Sequence, residues 1–175
     1  MRKPSRAVEL EDIISSQIIG DDPEMIALVL KIHLALEAIL IELLRLSDPS
    51  DKVYRMSFPA KTSALVASGT ITASDRTAFD LLNDFRNDFA HIFGHKVTLT
   101  QTLSLARALE REGVDFSDSA GHYSEQQATE FYGGTLGILA ETGWCTLFHA
   151  AQLLLEAGGR DIFSTPSQGG SGEMS

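Results

Sequence analysis

The stretch that decides the fold is "IALVLKIHLALEAILIELL", residues 26–44. Apolar side chains recur in it every three or four residues, which is the period of one face of an α-helix. The members of this stripe are Leu28, Ile32, Leu36, Ile39, Leu40 and Leu43. Four ionisable residues interrupt the run, namely Lys31, His33, Glu37 and Glu42. Each would be costly in lipid, so the pattern predicts a buried helix and not a membrane span.

The flanking residues predict where this helix begins and ends. Asp22 is placed as the N-cap, Pro23 at the first helical position and Glu24 in the first turn, where each residue type is favoured. The helix is expected to run to about Leu46, because Pro49 in "SDPSDK" disfavours helical backbone at the residue before it.

The remainder of the chain is also predicted to be helical, and no alternating run typical of a strand is present. The expected helices are residues 9–19, 58–69, a helix from Thr72 or Ser74 to about Phe93, one from Thr98 or Thr100 to Gly113, and one from Ser124 to about Ala157. Residues 114–123 are expected to be a polar loop. Gly133, Gly134, Gly137 and Gly143 in the last helix indicate either a close helix contact or a break.

These elements predict an all-α bundle of five or six helices with antiparallel neighbours. Residues 1–160 are expected to form a single domain and residues 161–175 a disordered tail. The N-terminus lacks the apolar run of a signal peptide. Cys145, the single cysteine, lies in an apolar stretch and is expected to be a buried structural thiol. A cytoplasmic location is therefore expected.

The net charge of −10 bears on partners. It repels polyphosphate at long range and therefore disfavours direct DNA binding, although a small local basic site is compatible with an acidic body. No cofactor is expected.

The segment "LLNDFRNDFAH", residues 81–91, contains the candidate functional pair Arg86 and His91. Five positions on a regular helix place two side chains about 140° apart around its axis. Either the helix bends near Ala90, or a twofold dimer brings two copies of the pair to one groove.

Such a groove has the chemistry of metal-free RNA cleavage. His91 would move a proton to or from the ribose and the leaving oxygen, and Arg86 would bind the phosphate. Asn87 and Asp88 would orient these groups. The alternative is that Arg86 pairs with Asp84, Asp88 or a neighbouring acidic helix, while His91 caps a helix end.

Other residues have two interpretations each. Glu37 either orients Arg86 or His91, or forms a hydrogen-bonded pair with His33 within the first long helix. Lys61 either adds positive charge near the groove or is an exposed lysine. A polar stripe of Asp84, Asp88, His91 and His95 is compatible with a divalent metal, but such stripes are usually solvated, and no metal is expected.

Several motifs together resemble those of the mannitol-repressor family and of the wider HEPN superfamily of helical nucleotide- and RNA-associated domains. They are "HLALEAILIELL", F-x-x-K at Phe58–Lys61, G-x-I at Gly69–Ile71 and "L-x-x-F-R-N-D-F-A-H" in the motif helix. The likeness covers roughly residues 26–95. It implies an all-α homodimer in which Arg86 and His91 are the counterparts of the superfamily's ribonuclease pair. Phe93 stands where the tyrosine-modified toxins of the superfamily have Tyr.

The resemblance implies two functions. The mannitol-repressor likeness favours a non-enzymatic cytoplasmic regulatory or interaction protein, a homodimer without a DNA-reading helix-turn-helix, whose partner is a regulatory protein or RNA. The intact Arg-Asn-Asp-x-x-His favours a metal-independent endoribonuclease of the toxin or defence type, with Arg86 and His91 as its catalytic residues.

Overall fold

The computed structural model describes residues 23–91, 97–116 and 120–164, without the side chains of 89–91. In these ranges the protein is all-α, with no strand. Its α-helices are α1 (Pro23–Ser47), α2 (Phe58–Ala67), α3 (Ala73–His91), α4 (Leu99–Arg111), α5 (Glu125–Tyr132) and α6 (Thr135–Glu156). Two 3₁₀ helices lie at Asp51–Arg55 and Ala120–His122. The predicted all-α bundle of five or six helices is confirmed.

Helix α1 is the centre of the bundle and packs against α2, α3 and α6. Its predicted apolar stripe is confirmed from Ile32 to Leu43, and Leu36, Leu40 and Leu43 have no exposed surface. Leu28 is only half-buried. The same core continues through α2, α3, α4 and α6. Within the described ranges, no helix has both the length and the apolar character needed to cross a membrane.

Side chains cap three helices at the residues that the sequence indicated. Thr72 precedes α3, where its hydroxyl accepts from the Asp75 backbone N–H at 3.1 Å and its own N–H donates to the Asp75 carboxylate at 2.7 Å. Thr98 caps α4, and Ser124 caps α5 in a reciprocal capping box with Gln127. Such caps satisfy amide donors that the first helical turn leaves free.

The predicted last helix is two helices, because Gly133 and Gly134 interrupt it with φ of 73° and 100°. Two successive residues of positive φ cannot continue a right-handed helix. The close helix contact that the glycines also suggested occurs at Gly143. A Cβ on Gly143 would lie 2.2 Å from Cδ1 of Ile32, so the glycine allows α6 to cross α1 at this point.

The loop after α4 was predicted to be polar, and this is wrong in part. Val114 and Phe116 are 2% and 5% exposed and belong to the main core. These two side chains hold the start of the loop against the core. At its other end, Nε of Arg107 donates to the Gly121 carbonyl at 2.7 Å.

The chain after α6 packs back on the bundle as far as Ser164. Arg160 forms a bidentate ion pair with Glu42 of α1, with Nε 2.9 Å from Oε2. Ile162 lies against the main core, and the Phe163 ring stacks on Phe148. Ile162 and Phe163, which belong to the expected tail, are therefore packed against the rest of the protein. The rest of the tail, the expected helix at 9–19 and the Asp22 cap lie outside the described residues.

Candidate functional site

The motif helix α3 is continuous from Ala73 to His91. Arg86 and His91 therefore start from backbone positions about 140° apart. Arg86 is half-buried, and its Nη1 donates to Oδ1 of Asn87 at 3.1 Å. Its Nε is buried and has no acceptor within the described part of the chain. The side chain of His91 lies outside the described residues.

Arg86 makes no ion pair with Asp84 or Asp88 in the described structure, so this part of the alternative interpretation of the motif is wrong. The two carboxylates instead border a cleft of about 350 Å³ between α3 and α4, together with Thr100, Gln101 and Ser104. Arg86 does not line this cleft. Of the three predicted supporting residues, Asn87 contacts Arg86, Asp88 borders the cleft, and Glu37 pairs with Lys61.

Among the described residues there is no cluster of three or more His, Cys, Asp or Glu side chains able to hold an ion. These residues therefore provide no ligand set for the metal site considered above. The side chains of His91 and His95, two members of the predicted stripe, lie outside them.

Lys61 is the largest correction to the sequence-based expectations. It is not exposed but fully buried, with 0% of its surface accessible. Its Nζ donates to Oε1 of Glu37 at 2.8 Å and to the Met56 carbonyl at 2.6 Å. The reason is local, because Phe58, Lys61 and Leu65 follow the three- and four-residue spacing of one buried helix face.

Glu37 accordingly has a different partner from the one predicted. Its carboxylate binds Lys61, and the structure gives it no hydrogen bond to Arg86 or to His33. His33 instead lies with Nε2 3.1 Å from Oδ1 of Asn83, and both side chains are buried. Asn83 precedes Arg86 by three residues and shares its face of α3. This hydrogen bond therefore fixes the motif helix against α1 close to Arg86.

A second group of polar residues, which the sequence analysis missed, lies where α6 meets the start of α3. Nε2 of His149 is 2.7 Å from Oδ1 of Asp75. Burial alone would raise the pKa of the Asp75 carboxyl, but the Thr72 amide and hydroxyl and then His149 hydrogen-bond to it and bring its pKa below the usual value. No sequence signal links residues 74 positions apart, so only the fold reveals this pair.

Cys145 lies one turn before His149 on α6 and is 8% exposed, so the predicted buried thiol is confirmed. Its Sγ is 3.4 Å from Oε1 of Glu141. This contact and its burial make Cys145 a packed residue of α6.

Helix α6 also carries an exposed aromatic cluster, made of Trp144, Phe148 and, from the following segment, Phe163. These residues are 53%, 50% and 41% exposed. Their rings contact one another, with centroids 5.7 Å apart for Trp144 and Phe148 and 4.6 Å for Phe148 and Phe163. The signal in the sequence is a helix apolar on more than one face, which indicates an additional contact surface.

Comparisons of the chain with protein-family models, with curated proteins and with solved structures gave no match. The likeness to the mannitol-repressor family therefore depends on the motifs of residues 26–95 alone.

Proposed function

We propose that the protein is a non-enzymatic regulatory or interaction protein of the mannitol-repressor type that acts as a HEPN-like homodimer. The observation that carries the proposal is an exposed apolar face on α1. Leu30 is 40% exposed and Leu34 is 63% exposed, although both belong to the most apolar helix of the chain. Ala38 continues the strip one turn later and is also exposed. Exposed apolar strips of this kind mark association surfaces.

A second copy of the chain is the occupant that the charges favour. Residues 25–36 of α1, which include Leu30 and Leu34, carry one charged side chain, Lys31, and the adjoining Glu37 is paired with Lys61, whereas the whole chain has a net charge of −10. Two acidic molecules repel one another except where they meet through surfaces free of acidic groups. In a twofold dimer the same strip meets itself. Because the buried hydrogen bond between His33 and Asn83 holds α3 beside α1, such a dimer would also bring the two motif helices near one another.

The surroundings of Arg86 favour regulation over catalysis. Its Nη1 is engaged by Asn87, and the net charge of −10 repels polyphosphate at long range. The acidic charge also disfavours direct DNA contact. The proposed partner is therefore a regulatory protein, and the proposed location is the cytoplasm.

Replacing Leu34 by glutamate is expected to weaken self-association at least about tenfold, because a carboxylate in an apolar interface must lose its hydration. Sedimentation velocity over a concentration series measures the monomer–dimer equilibrium. Leu46→Glu is the matched control, since Leu46 is 48% exposed on the same helix but about 120° away from Leu34 around its axis. A wild type that stays monomeric at the highest concentration reached, or equal effects of the two variants, would refute this dimer surface.

The ribonuclease remains the second candidate, and one observation favours it. The buried Nε of Arg86 lacks an acceptor within the described residues, as expected of a donor that awaits a phosphate or a partner group.

The test is cleavage of a labelled mixed-sequence RNA in EDTA by the wild type, Arg86→Ala and His91→Ala, with Arg55→Ala as the control for loss of an exposed arginine. We expect no cleavage that depends on Arg86 and His91. Products with 2′,3′-cyclic phosphate ends, lost in both motif variants only, would replace the regulator by the nuclease.

A further inference from the structure

The cleft beside the aromatic cluster has the composition of a ligand site. It encloses about 440 Å³ and is bordered by Asp115 from the loop after α4 and by Glu141, Trp144, Phe148, His149 and Gln152 from α6. We propose that this cleft binds a small organic ammonium ion with an apolar or aromatic body. No residue that lines the cleft belongs to the motif helix, and the proposal does not depend on the function proposed above.

The charges in the cleft select a cation. Asp115 and Glu141 supply two carboxylates, and there is no lysine or arginine among the described residues that line the cleft. The ring nitrogen Nε2 of His149 already contacts Asp75 at 2.7 Å, so this nitrogen is engaged within the protein. An anionic ligand would meet repulsion with no compensating positive charge from an arginine or lysine.

The aromatic rings supply a second, independent reason for a cation. Trp144 and Phe148 are about half exposed, and their rings are inclined at 58° with centroids 5.7 Å apart. Both rings line the cleft. Aromatic rings attract an ammonium group, and tryptophan is the strongest partner for this interaction. The apolar part of the ligand would pack against the same rings and leave water.

The rings are also held in place before a ligand arrives. Phe163 stacks on Phe148 with an interplanar angle of 7°, and its centroid is 5.3 Å from that of Trp144. The segment carrying Phe163 is fastened by the ion pair between Arg160 and Glu42. Ordering side chains on binding costs free energy, and rings already packed against a neighbour avoid much of that cost.

Gln152 completes the set of acceptors. Its Nε2 donates to Oε1 of Glu156 at 3.0 Å, which orients the amide. The amide oxygen of Gln152 has no donor among the described residues. Together with Asp115 and Glu141, it provides acceptors of the kind that the N–H groups of a primary ammonium require.

The test uses three probes that share a phenylethyl body and differ in charge: phenethylammonium, 2-phenylethanol and phenylacetate. Trp144 is the only tryptophan of the chain, so its fluorescence reports on the cleft directly. We expect saturable quenching or a spectral shift with phenethylammonium, and about tenfold weaker binding of the neutral alcohol, as the loss of a cation–π contact and a charge pair predicts. Phenylacetate should bind weakest.

Glu141→Gln should reduce the affinity for phenethylammonium about tenfold while leaving that for 2-phenylethanol unchanged, because it removes charge and keeps shape. Asp51→Asn changes the net charge equally at an exposed position outside the cleft and should have no effect. Equal binding of the ammonium and the alcohol, tighter binding of phenylacetate, absence of saturation with all three, or equal losses in the two variants would each overturn the proposal.

Discussion

Replacing Glu37 by glutamine is expected to lower the free energy of unfolding by about 3 kcal/mol, the lower end of the range for removing one partner of a buried ion pair. The ammonium of Lys61 is fully buried, and Glu37 is its only charged partner among the residues that the structure describes. After the substitution Lys61 keeps the Met56 carbonyl and an amide oxygen at best, and neither neutralises its charge. Urea unfolding followed by circular dichroism measures the change.

Two further variants separate the ion pair from other causes. Glu42→Gln makes the same change in an exposed pair of the same helix, since Arg160 is 68% and Glu42 37% exposed, and it should cost no more than about 1 kcal/mol. Combining Glu37→Gln with Lys61→Met should recover much of the lost stability, because the double variant leaves no buried charge. If Glu37→Gln lowers the free energy of unfolding no more than Glu42→Gln does, the buried ammonium of Lys61 does not need the Glu37 carboxylate for stability.

The same experiment decides between two interpretations of Glu37. The sequence suggested that Glu37 orients Arg86 or His91, in which case its loss would disturb the motif before it unfolds the protein. The contact with Lys61 at 2.8 Å makes Glu37 a stabilising residue of the α1–α2 contact. A folded but marginally stable Glu37→Gln variant with an unaltered motif helix would support the structural role.

The helix pattern was predictable because its causes are local. Residues at most four positions apart determine the stripe of α1 from Ile32 to Leu43 and the caps at Thr98 and Ser124. The fully buried position of Lys61 could have been inferred too, since it shares the face of Phe58 and Leu65. The charge of Lys61 favoured the wrong expectation, because lysine is almost never buried unless it is paired.

The candidate site was predictable only in part. Asp84 and Asp88 are each two positions from Arg86, and residues two apart lie about 200° apart on a helix. Helix geometry therefore disfavours an ion pair between Arg86 and either aspartate. In contrast, the contacts between His149 and Asp75 and between Arg160 and Glu42 join residues 74 and 118 positions apart. Only the packing of the helices brings such pairs together, and the cleft on α6 depends on both.

Replacing Gly143 by alanine is expected to lower the free energy of unfolding by about 2 kcal/mol, although alanine is the better helix former. The new Cβ would lie 2.2, 2.6 and 3.1 Å from three carbons of Ile32 on α1. Ile32 is a β-branched residue with few rotamers in a helix, so its side chain cannot simply turn away. The two helices must therefore separate and lose contacts along their length. Thermal and denaturant unfolding measure the loss.

The matched test repeats the substitution in an Ile32→Ala background. There the clashing carbons are absent, so Gly143→Ala should raise stability by up to about 1 kcal/mol, which is the helix-propensity difference between the two residues. The same change is thus expected to have opposite signs in the two backgrounds, because Ile32 couples the two positions. A stabilising effect in the wild-type background would show that α1 and α6 have room for a side chain at residue 143. The close approach of the two helices would then have another cause.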